Sequence, residues 1–330
     1  MRTRARITDT PAGAAAAVAH LAAETRYYLG LTPRQLPSKY LYDALGSALF
    51  EAITCLPWYP LRRAEERLLR AHAAEVFRLA DPVGTIAELG PGRGDKLLTV
   101  LDAAGRMRTA VDVRLIDVSA AALTRAAQAL HAVTAARVRT YEETYEAGLD
   151  RLDGDNRGAG RMLLFFLGSN IGNFDPPGAE ALLWRVKGAL GRTGALLLGT
   201  DLVKPMRDLL LAYDDPLGVT AAFNRNLLVR LNRELDADFD IDAFAHRAIW
   251  NAEASRIEMH LVSRRPQRIR VGAAGFEFSL AHGEAIWTES SYKFRSVDVV
   301  ALLKRAGFRV ARQWIDVRDQ FALTLAEPEG

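Results

Sequence analysis

The segment TIAELGPGRGDK (Thr85–Lys96) joins a short apolar run to a turn with glycines at alternate positions. The apolar run predicts a β-strand, and the residues after the turn, Lys96–Ala104, have the spacing of a helix. Gly90, Gly92 and Gly94 let the backbone bend sharply and approach a ligand, because no Cβ atom stands in the way. Open α/β sheets bind ligands at the carboxyl ends of parallel strands. The segment therefore predicts a ligand-binding strand–turn–helix unit.

Short apolar runs and helical patterns alternate after this turn. The predicted strands are RLIDV (Arg114–Val118), MLLFFLG (Met162–Gly168) and GALLLGTD (Gly194–Asp201), and the predicted helices are Ala120–Ala132 and Pro176–Leu190. Strands that alternate with helices of about ten to fifteen residues pair in parallel through right-handed crossovers. The predicted fold class is therefore α/β, with a Rossmann-like doubly wound sheet.

The remaining segments have different patterns. Residues 11–36 are rich in alanine, the best helix former, and are predicted to be mostly helical as far as Pro37. The segment Ser38–Pro60 is crowded with aromatic residues, which suit either packing between helices or the wall of a ligand pocket. After Asp201, helical patterns give way to RIEMHLVSRRPQRIRV and FEFSL, whose alternation is typical of antiparallel strands.

These patterns predict a Rossmann-like domain interrupted by an inserted α+β lobe. A helix at Asp298–Ala306 and the strand FALTLAE (Phe321–Glu327) return to the α/β pattern near the end of the chain. A chain of 330 residues is past the size at which one core keeps growing, so two domains are expected. The predicted domains are residues 62–200 plus 293–330, and residues 8–61 plus 201–292.

Composition argues against several functional classes. Only 3 more basic than acidic residues are present, and the basic residues are scattered, so no nucleic-acid partner is predicted. The single Cys55 cannot form an internal disulfide, and no Cys/His cluster has metal-ligand spacing, which predicts a reducing compartment and no metal. The sequence has neither a signal-peptide pattern nor a run of about eighteen apolar residues. We therefore expect a cytoplasmic protein with no membrane partner.

Three ligand classes compete for the glycine turn. A phosphate-binding Walker A loop needs Gly-Lys-Ser/Thr, but Lys96 follows Asp95. A dinucleotide fingerprint is disfavoured because Asp95 stands at the third glycine position and its charge would face a pyrophosphate. S-adenosylmethionine needs acids near its ammonium and ribose groups and a cation near its carboxylate. Glu88, Lys96 and Asp117 supply these groups, and a tight turn without a ligand is the remaining alternative.

Motifs outside the turn extend this interpretation. The segments FFLGSNIGNF, LLLGTDLVKP, YDDPLGVTAAFNRN, RIEMHL and TESSYKF, with ELGPGRGDK and IDVS, resemble those of the histidine Nα-methyltransferases of ergothioneine biosynthesis. The resemblance covers the chain from Ser38 to its end. It implies that residues 62–200 plus 293–330 bind S-adenosylmethionine, and that residues 8–61 plus 201–292 bind the substrate.

The resemblance also implies cofactor-binding residues. In the family the glycine turn, its lysine and the acid after the second strand bind S-adenosylmethionine, which implies Gly90, Lys96 and Asp117 here. Glu88 and Gly92 belong to the same turn and are included among the candidate cofactor-binding residues. A later Asp-Phe pair contacts adenine in the family. That pair falls on Thr144 and Tyr145, and because Thr144 lacks a carboxylate, Glu142 or Glu143 is an alternative contact.

Substrate-binding residues follow from the same resemblance. The asparagine of the family's I-G-N motif, which holds the backbone groups of the amino acid, is Asn173. The tyrosines of the pocket are Tyr42, Tyr59 and Tyr213. For Asn173 the alternative is a turn asparagine before FDPP, and for Tyr59 and Tyr213 it is ordinary packing.

Recognition of imidazole is implied for the T-E-x-S motif. Glu289 and Ser291 would bond the two ring nitrogens, with Ser290 between them, and Met259 would line the same pocket. Alone, Glu289 would be interpreted as a solvated carboxylate on a strand. The chain departs from the family at Tyr292, where a smaller residue is expected, and it has one aromatic residue fewer after Pro57.

The implied reaction is methyl transfer from S-adenosylmethionine to the α-amine of L-histidine, repeated three times to give hercynine. Asn173 suits this chemistry because its amide can accept a hydrogen bond from an amine and donate one to a carboxylate. Asn173 and Tyr42 are the predicted catalytic residues, with the amine proton passing to solvent through water held by Tyr42. We expect a monomer. The alternatives are methylation of another aromatic amino acid such as tryptophan, and a non-catalytic dinucleotide-binding protein.

Overall fold

A computed structural model describes residues 11–107, 111–155 and 161–330 of the chain. Residues 8–10, which belong to the second predicted domain, lie outside the described residues. Within these limits, no helix combines the length and the apolar character needed to cross a lipid bilayer.

Helices and strands alternate along most of the chain. The helices are α1 (Pro11–Leu29), α2 (Ala44–Cys55), α3 (Leu61–Ala80), α4 (Asp95–Ala103), α5 (Ala120–Val133), α6 (Tyr145–Asp155), α7 (Pro176–Leu190), α8 (Met206–Tyr213), α9 (Val219–Leu235) and α10 (Ser296–Arg305). The strands are β1 (Arg34–Gln35), β2 (Val83–Leu89), β3 (Asp112–Asp117), β4 (Arg137–Glu142), β5 (Arg161–Phe166), β6 (Ala195–Asp201), β7 (Phe244–Asn251), β8 (Arg256–Ser263), β9 (Gln267–Val271), β10 (Phe276–Leu280), β11 (Ala285–Tyr292), β12 (Phe308–Asp316) and β13 (Phe321–Pro328). Short 3₁₀ turns include Asn170–Asn173.

Seven strands form one sheet in the order β12-β13-β6-β5-β2-β3-β4. Neighbouring strands pair in parallel from β4 through β3, β2 and β5 to β6. Strand β13 runs antiparallel to both β6 and β12. The order of the parallel strands reverses between β2 and β5, which is where doubly wound sheets bind ligands. The predicted α/β doubly wound fold is confirmed.

The central strands of this sheet are buried along almost their whole length. Five of the six residues of β5 and all seven residues of β6 are buried. Side chains from α6, α7 and α10 form one apolar cluster with β2, β5 and β6, and α3 packs against β6 and β13. Parallel strands covered on both faces have continuous apolar sequences. For this reason the sequence predicted β5 and β6 closely.

The two edge strands, β4 and β12, were not predicted. In β4, with the sequence RVRTYE, no residue is fully buried. An edge strand pairs on one side only, so it does not need the apolar run that marks β5 and β6. Its pairing with β3 depends on tertiary contacts that composition does not reveal.

The alanine-rich segment of residues 11–36 is helical over a shorter range than predicted. Helix α1 ends at Leu29, rather than continuing to residue 36, and Gly30 follows it. The next residues form β1, which pairs in parallel with β11 through Arg34 and Ile286. Leu36 also donates its N–H to the carbonyl of Trp287 at 2.8 Å. Pairing with a distant strand therefore overrides the local helix propensity after Gly30.

The chain divides into two compact units. The first comprises residues 1–50, 214–249 and 258–289, and the second comprises residues 51–213, 250–257 and 290–330. The second unit contains the seven-stranded sheet. The predicted assignment of cofactor and substrate binding to separate domains stays a prediction.

Antiparallel pairing appears where the sequence predicted it. Strands β9 and β10 pair antiparallel, with Phe278 opposite Ile269. A four-stranded sheet has the order β1-β11-β8-β7. In β8 buried and partly exposed residues alternate strictly, as expected for a strand covered on one face. Strands β7 and β11 were not identified individually from the sequence.

Helix α7 begins with a side-chain cap. The Asp175 carboxylate accepts the N–H of Gly178 at 2.8 Å, and Pro176 occupies the first helical position, where a missing N–H costs nothing. Replacing Asp175 with alanine leaves that N–H without its acceptor. The cap thus fixes the start of a helix that packs into the core of the sheet.

We expect Asp175→Ala to lower the free energy of unfolding by about 1 kcal/mol, because helix caps of this type contribute that amount. Urea denaturation of wild type and variant measures the change. Asp102→Ala, at an exposed position in α4, is the control and should stay within about 0.5 kcal/mol of wild type. Equal stability of the Asp175 variant and wild type would show that the cap does not stabilise α7.

Candidate active site

The glycine turn after β2 has a backbone that favours glycine. Gly90, Gly92 and Gly94 have φ angles of 68°, 56° and 79°, in the left-handed region. A Cβ atom on Gly90 would lie 2.7 Å from the Tyr145 hydroxyl and 2.8 Å from Nδ2 of Asn170. The turn therefore requires glycine for its conformation, and at Gly90 also for the close approach of two polar side chains.

Glu88 is the last but one residue of β2 and is fully buried. Its exposed fraction is 1%, and neither carboxylate oxygen has a hydrogen-bond partner among the described residues. Burial raises the pKa of Glu88 to about 7; the nearby Lys96 opposes this, while Glu65 and Asp117 reinforce it. A buried carboxyl group without a partner is costly, so it suits a site that receives a cationic or hydrogen-bond-donating ligand.

Asp117 ends β3 beside the same turn. Its carboxylate accepts the N–H of Ser119 at 2.9 Å and also an N–H from Gly92. Burial raises the pKa of Asp117, although these backbone N–H groups partly oppose the shift. The glycine turn and the end of the neighbouring strand are thus connected through one carboxylate.

Lys96 lies in the first turn of α4 and forms an ion pair with a residue that the sequence did not single out. Its Nζ is 2.6 Å from Oε2 of Glu65, although the approach lacks hydrogen-bond geometry. Glu65 is fully buried in α3, and its Oε1 accepts the N–H of Gly168 at 2.6 Å. Glu65 therefore holds together the lysine and the loop after β5. The sequence did contain a signal for Glu65, because an acidic residue lies among the buried apolar residues of α3.

The predicted adenine-contacting pair begins α6. Thr144 is exposed, and its hydroxyl accepts the N–H of Ala147 at 3.3 Å, so it caps the helix. The ring of Tyr145 packs against Phe166 and Phe174, with centroid distances of 5.4 Å and 6.3 Å. Burial raises the pKa of Tyr145. The structure places the Tyr145 hydroxyl near Gly90, whereas Thr144, directly before α6, is exposed to solvent.

Asn173 closes the 3₁₀ turn that follows β5 and is partly buried. Ser169, just before this turn, has a positive φ of 59°, and its hydroxyl accepts the N–H of Asp201 at 2.9 Å. A Cβ atom on Gly172 would lie 2.7 Å from the carbonyl oxygen of Tyr292. The I-G-N segment is therefore fixed on both sides, and only glycine fits beside Tyr292.

Tyr213 and Ser291 form a buried hydroxyl pair. Their oxygen atoms are 2.8 Å apart, and each accepts a hydrogen bond from Nζ of Lys293, at 2.8 Å and 3.0 Å respectively. The ring of Tyr59 lies edge-on to Tyr213 at a centroid distance of 6.1 Å. Three predicted substrate residues thus lie together, held by a lysine that the sequence analysis did not name.

The other predicted substrate residues lie in the first unit, apart from Ser290, which is partly exposed in the second. Tyr42 packs edge-on against Phe50 and Phe223, both at 5.5 Å. Met259 is buried, and its carbonyl accepts the hydroxyl of Thr288 at 3.0 Å. Glu289 is also buried, with an exposed fraction of 8%.

Tyr292, where a smaller residue was expected, has a specific partner. Arg256 donates a hydrogen bond from Nη1 to the Tyr292 hydroxyl at 2.7 Å, and its guanidinium lies 5.4 Å from the centre of the ring. The larger side chain is thus accommodated by pairing with an arginine, both in the second unit.

Comparison with known proteins assigns the family. A family model described as histidine-specific methyltransferase, SAM-dependent, matches residues 21–328. The chain belongs to this family. The histidine-specific methyltransferase family uses S-adenosylmethionine, so the protein is an S-adenosylmethionine-dependent methyltransferase. The predicted resemblance and the predicted cofactor are therefore confirmed.

Individual relatives agree with this membership. The chain is 43% identical over 307 residues to the histidine N-alpha-methyltransferase of Mycolicibacterium smegmatis, covering 92% of this chain and 93% of the relative. It is 44% identical over 313 residues to the histidine N-alpha-methyltransferase of Mycobacterium tuberculosis, covering 93% and 95%. It is 28% identical over 278 residues to ergothioneine biosynthesis protein 1 of Neurospora crassa, covering 78% of this chain and 31% of that protein.

The raised pKa of Glu88 predicts a pH-dependent stability of the unliganded protein. The folded protein binds a proton at Glu88 up to about pH 7, whereas the unfolded chain loses it near its ordinary value of 4.5. Stability should therefore fall as the pH rises between these values. Relative to Glu88→Gln, wild type should lose roughly 3 kcal/mol across this window.

Urea denaturation of wild type and Glu88→Gln at pH 5 and pH 8 measures this difference. Glu142→Gln, at an exposed position on β4, is the matched control and should follow the pH dependence of wild type. Parallel stability profiles for wild type and Glu88→Gln would contradict the shifted pKa.

Proposed function

We propose that this protein methylates the α-amine of L-histidine and carries out three successive transfers to give hercynine, the first step of ergothioneine biosynthesis. The observation that carries this proposal is the near full-length similarity to two histidine N-alpha-methyltransferases, with more than 90% of each chain covered. The similarity to a fungal ergothioneine biosynthesis protein supports the assigned pathway.

The residues around the glycine turn fit S-adenosylmethionine. When bound, this cofactor supplies an electrophilic methyl group on a sulfonium. The unpartnered carboxyl of Glu88 is suited to its ammonium, and Lys96 is suited to its carboxylate. Asp117 would bind the ribose hydroxyls at the end of β3. Gly90 allows the close approach of Tyr145 and Asn170 to the turn, and the space beside the α-carbon of Gly92 is open.

Adenine would be held near the start of α6. Tyr145 offers a ring already fixed by two phenylalanines, and its hydroxyl faces the glycine turn. Thr144 occupies the position of the family's aspartate, and its hydroxyl caps the helix. Glu142 and Glu143 stay as alternative carboxylates for the contact that Thr144 cannot make.

Asn173 would orient the amino acid for the transfer. Its amide oxygen can accept a hydrogen bond from the α-amine, and its NH₂ group can donate one to the carboxylate. A neutral amide does not stabilise the ammonium form of the amine, whereas a carboxylate at this position would stabilise it and slow the attack. Correct alignment of a nucleophile alone contributes a large share of the rate. Water held by Tyr42 would carry the amine proton to solvent.

Selection of histidine would depend on Glu289 and Ser291. A buried carboxylate and a hydroxyl can bond both imidazole nitrogens, whereas an apolar side chain offers them no hydrogen-bonding group. Met259, Tyr59 and Ser290 would complete the surface against the substrate. Tryptophan offers only one ring donor, which makes it the less suitable substrate.

The setting of the reaction follows from the sequence. A free amino acid as substrate requires neither nucleic acid nor a membrane, and the scattered charge agrees with this. The single cysteine suits a reducing compartment, so we place the enzyme in the cytoplasm. We also propose that it acts as a monomer.

The function is tested by incubating purified protein with S-adenosylmethionine and each proteinogenic amino acid in turn, with mass spectrometry of the products. We expect histidine to gain one, two and then three methyl groups, with the trimethylated form accumulating. The same samples without S-adenosylmethionine are the control. Preferential methylation of tryptophan would contradict the substrate assignment. In a separate measurement of the melting temperature, a rise with NADH instead of S-adenosylhomocysteine would contradict the cofactor assignment.

Asn173→Ala tests the orienting role. We expect kcat/KM for histidine to fall about a hundredfold or more, because misplacement of the amine removes its alignment, while the affinity for S-adenosylhomocysteine stays unchanged. Asn232→Ala is the control, since Asn232 bonds only the backbone of Phe239 in the described contacts. It should lower stability without lowering the rate. A normal rate in the Asn173 variant would rule out the proposed role.

A further inference from the structure

Glu65 is a buried acid of α3 that the proposed function does not use. Its side chain has an exposed fraction of 1%, and its two carboxylate oxygens have different partners. Oε1 accepts the N–H of Gly168 at 2.6 Å, and Oε2 lies 2.6 Å from Nζ of Lys96 in an ion pair. The side chain therefore connects α3 with the loop after β5 and with the first turn of α4.

Two glycines leave the space that the Glu65–Lys96 pair occupies. A Cβ atom on Gly199 of β6 would overlap with Oε1 of Glu65. A Cβ atom on Gly168 would lie 2.9 Å from Nζ of Lys96. A larger residue at either position would displace one member of the pair. The backbone around the pair is therefore shaped to keep these two charges together.

Lys96 has a second carboxyl group within electrostatic reach. Burial raises the pKa of Glu88, the nearby Lys96 lowers it, and Glu65 raises it further. Neither oxygen of Glu88 has a hydrogen-bond partner among the described residues, so Lys96 lies near Glu88 without bonding to it. A lysine ammonium lies on a flexible stem, and a buried carboxyl group without a partner is costly. Without Glu65, we expect Lys96 to turn to Glu88.

We propose that Glu65 is a positioning residue for the cofactor, because it retains Lys96 and so keeps the carboxyl group of Glu88 open for the ammonium of S-adenosylmethionine. The same pairing holds Lys96, whose side chain is partly exposed, where it can bind the carboxylate of the cofactor. Both ends of the amino-acid tail then depend on a residue that contacts neither. The proposal rests on the cofactor contacts of the proposed function and deepens them.

Glu65→Gln tests this role. The amide oxygen of glutamine can still accept the N–H of Gly168, whereas its NH₂ group cannot accept from an ammonium. We expect the Kd of S-adenosylhomocysteine to rise about tenfold or more, because both contacts to the amino-acid tail are lost. Methylthioadenosine has the adenosine and the sulfur of the cofactor but no amino-acid tail, so its Kd should stay within about twofold. Isothermal titration calorimetry measures both values.

A control variant and a double-mutant cycle separate positioning from a general structural role. Glu66→Gln makes the same change one residue further along α3 and removes a partly exposed ion pair with Arg62. Both ligands should bind this control within about twofold of wild type. If Glu65 acts through the lysine, Glu65→Gln should weaken S-adenosylhomocysteine binding little further in a Lys96→Met background.

A crystal structure of unliganded Glu65→Gln shows directly where the lysine lies. We expect Nζ of Lys96 within about 4 Å of the Glu88 carboxylate, the range of an ion pair. A lysine that stays beside residue 65, unchanged or tighter S-adenosylhomocysteine binding, equal weakening of both ligands, or additive effects in the cycle would each overturn the proposal.

A second variant covers the case in which Glu65→Gln does not fold. Glu65→Asp shortens the side chain and moves the carboxylate away from Lys96, so it should show the same selective loss of S-adenosylhomocysteine binding. If wild type binds S-adenosylhomocysteine no more tightly than methylthioadenosine, the assigned tail contacts are wrong and the role of Glu65 with them. Absence of histidine methylation by wild type, with normal binding of S-adenosylhomocysteine, would refute the proposed substrate instead.

Discussion

The left-handed backbone after β2 is the constraint on which the candidate site depends. Three glycines with positive φ turn the chain shortly after Glu88. At each of these positions a residue with a Cβ atom would raise the free energy of the folded state by about 1 to 2 kcal/mol. Because the chain turns there, an N–H of Gly92 reaches the carboxylate of Asp117 on the next strand. The same turn starts α4 and so positions Lys96. The proposed cofactor contacts of Glu88, Lys96 and Asp117 depend on this one local conformation.

Two ion pairs, each with a buried carboxylate, extend the site from the turn to the neighbouring strand ends. Lys96 pairs with Glu65 beside the loop after β5, and Lys293 pairs with Asp201 at the end of β6. A buried ion pair adds little net stability, because removing two charges from water offsets their attraction. Each pair instead fixes the position of a charge and of its hydrogen-bonded neighbours. For Glu65 the neighbour is the N–H of Gly168.

The sequence predicted the parts of the fold that local pattern determines. Strands β5 and β6 are apolar because helices cover both of their faces. The glycine turn is recognisable because three glycines at alternate positions suit a backbone with positive φ angles. The edge strand β4 and the short β1 were missed, because their pairing depends on distant partners rather than on their own residues.

The same limit applies to the candidate site. Motif resemblance identified Tyr213 and Ser291, and the structure brings their hydroxyls together. Glu65 and Lys293 were not identified, since their partners are far apart in the sequence and only folding makes them neighbours. An acid on an apolar helix face and a lysine after a buried strand were visible signals. Neither signal specifies which partner the charge will meet.

A crystal structure with S-adenosylhomocysteine and L-histidine tests the central claim most directly. We expect the α-amine to lie within hydrogen-bonding distance of the Asn173 amide and to be directed towards the sulfur. We also expect the imidazole nitrogens of histidine within hydrogen-bonding distance of Glu289 and Ser291. Histidine bound away from Asn173, or with its imidazole ring away from Glu289 and Ser291, would contradict the proposed function.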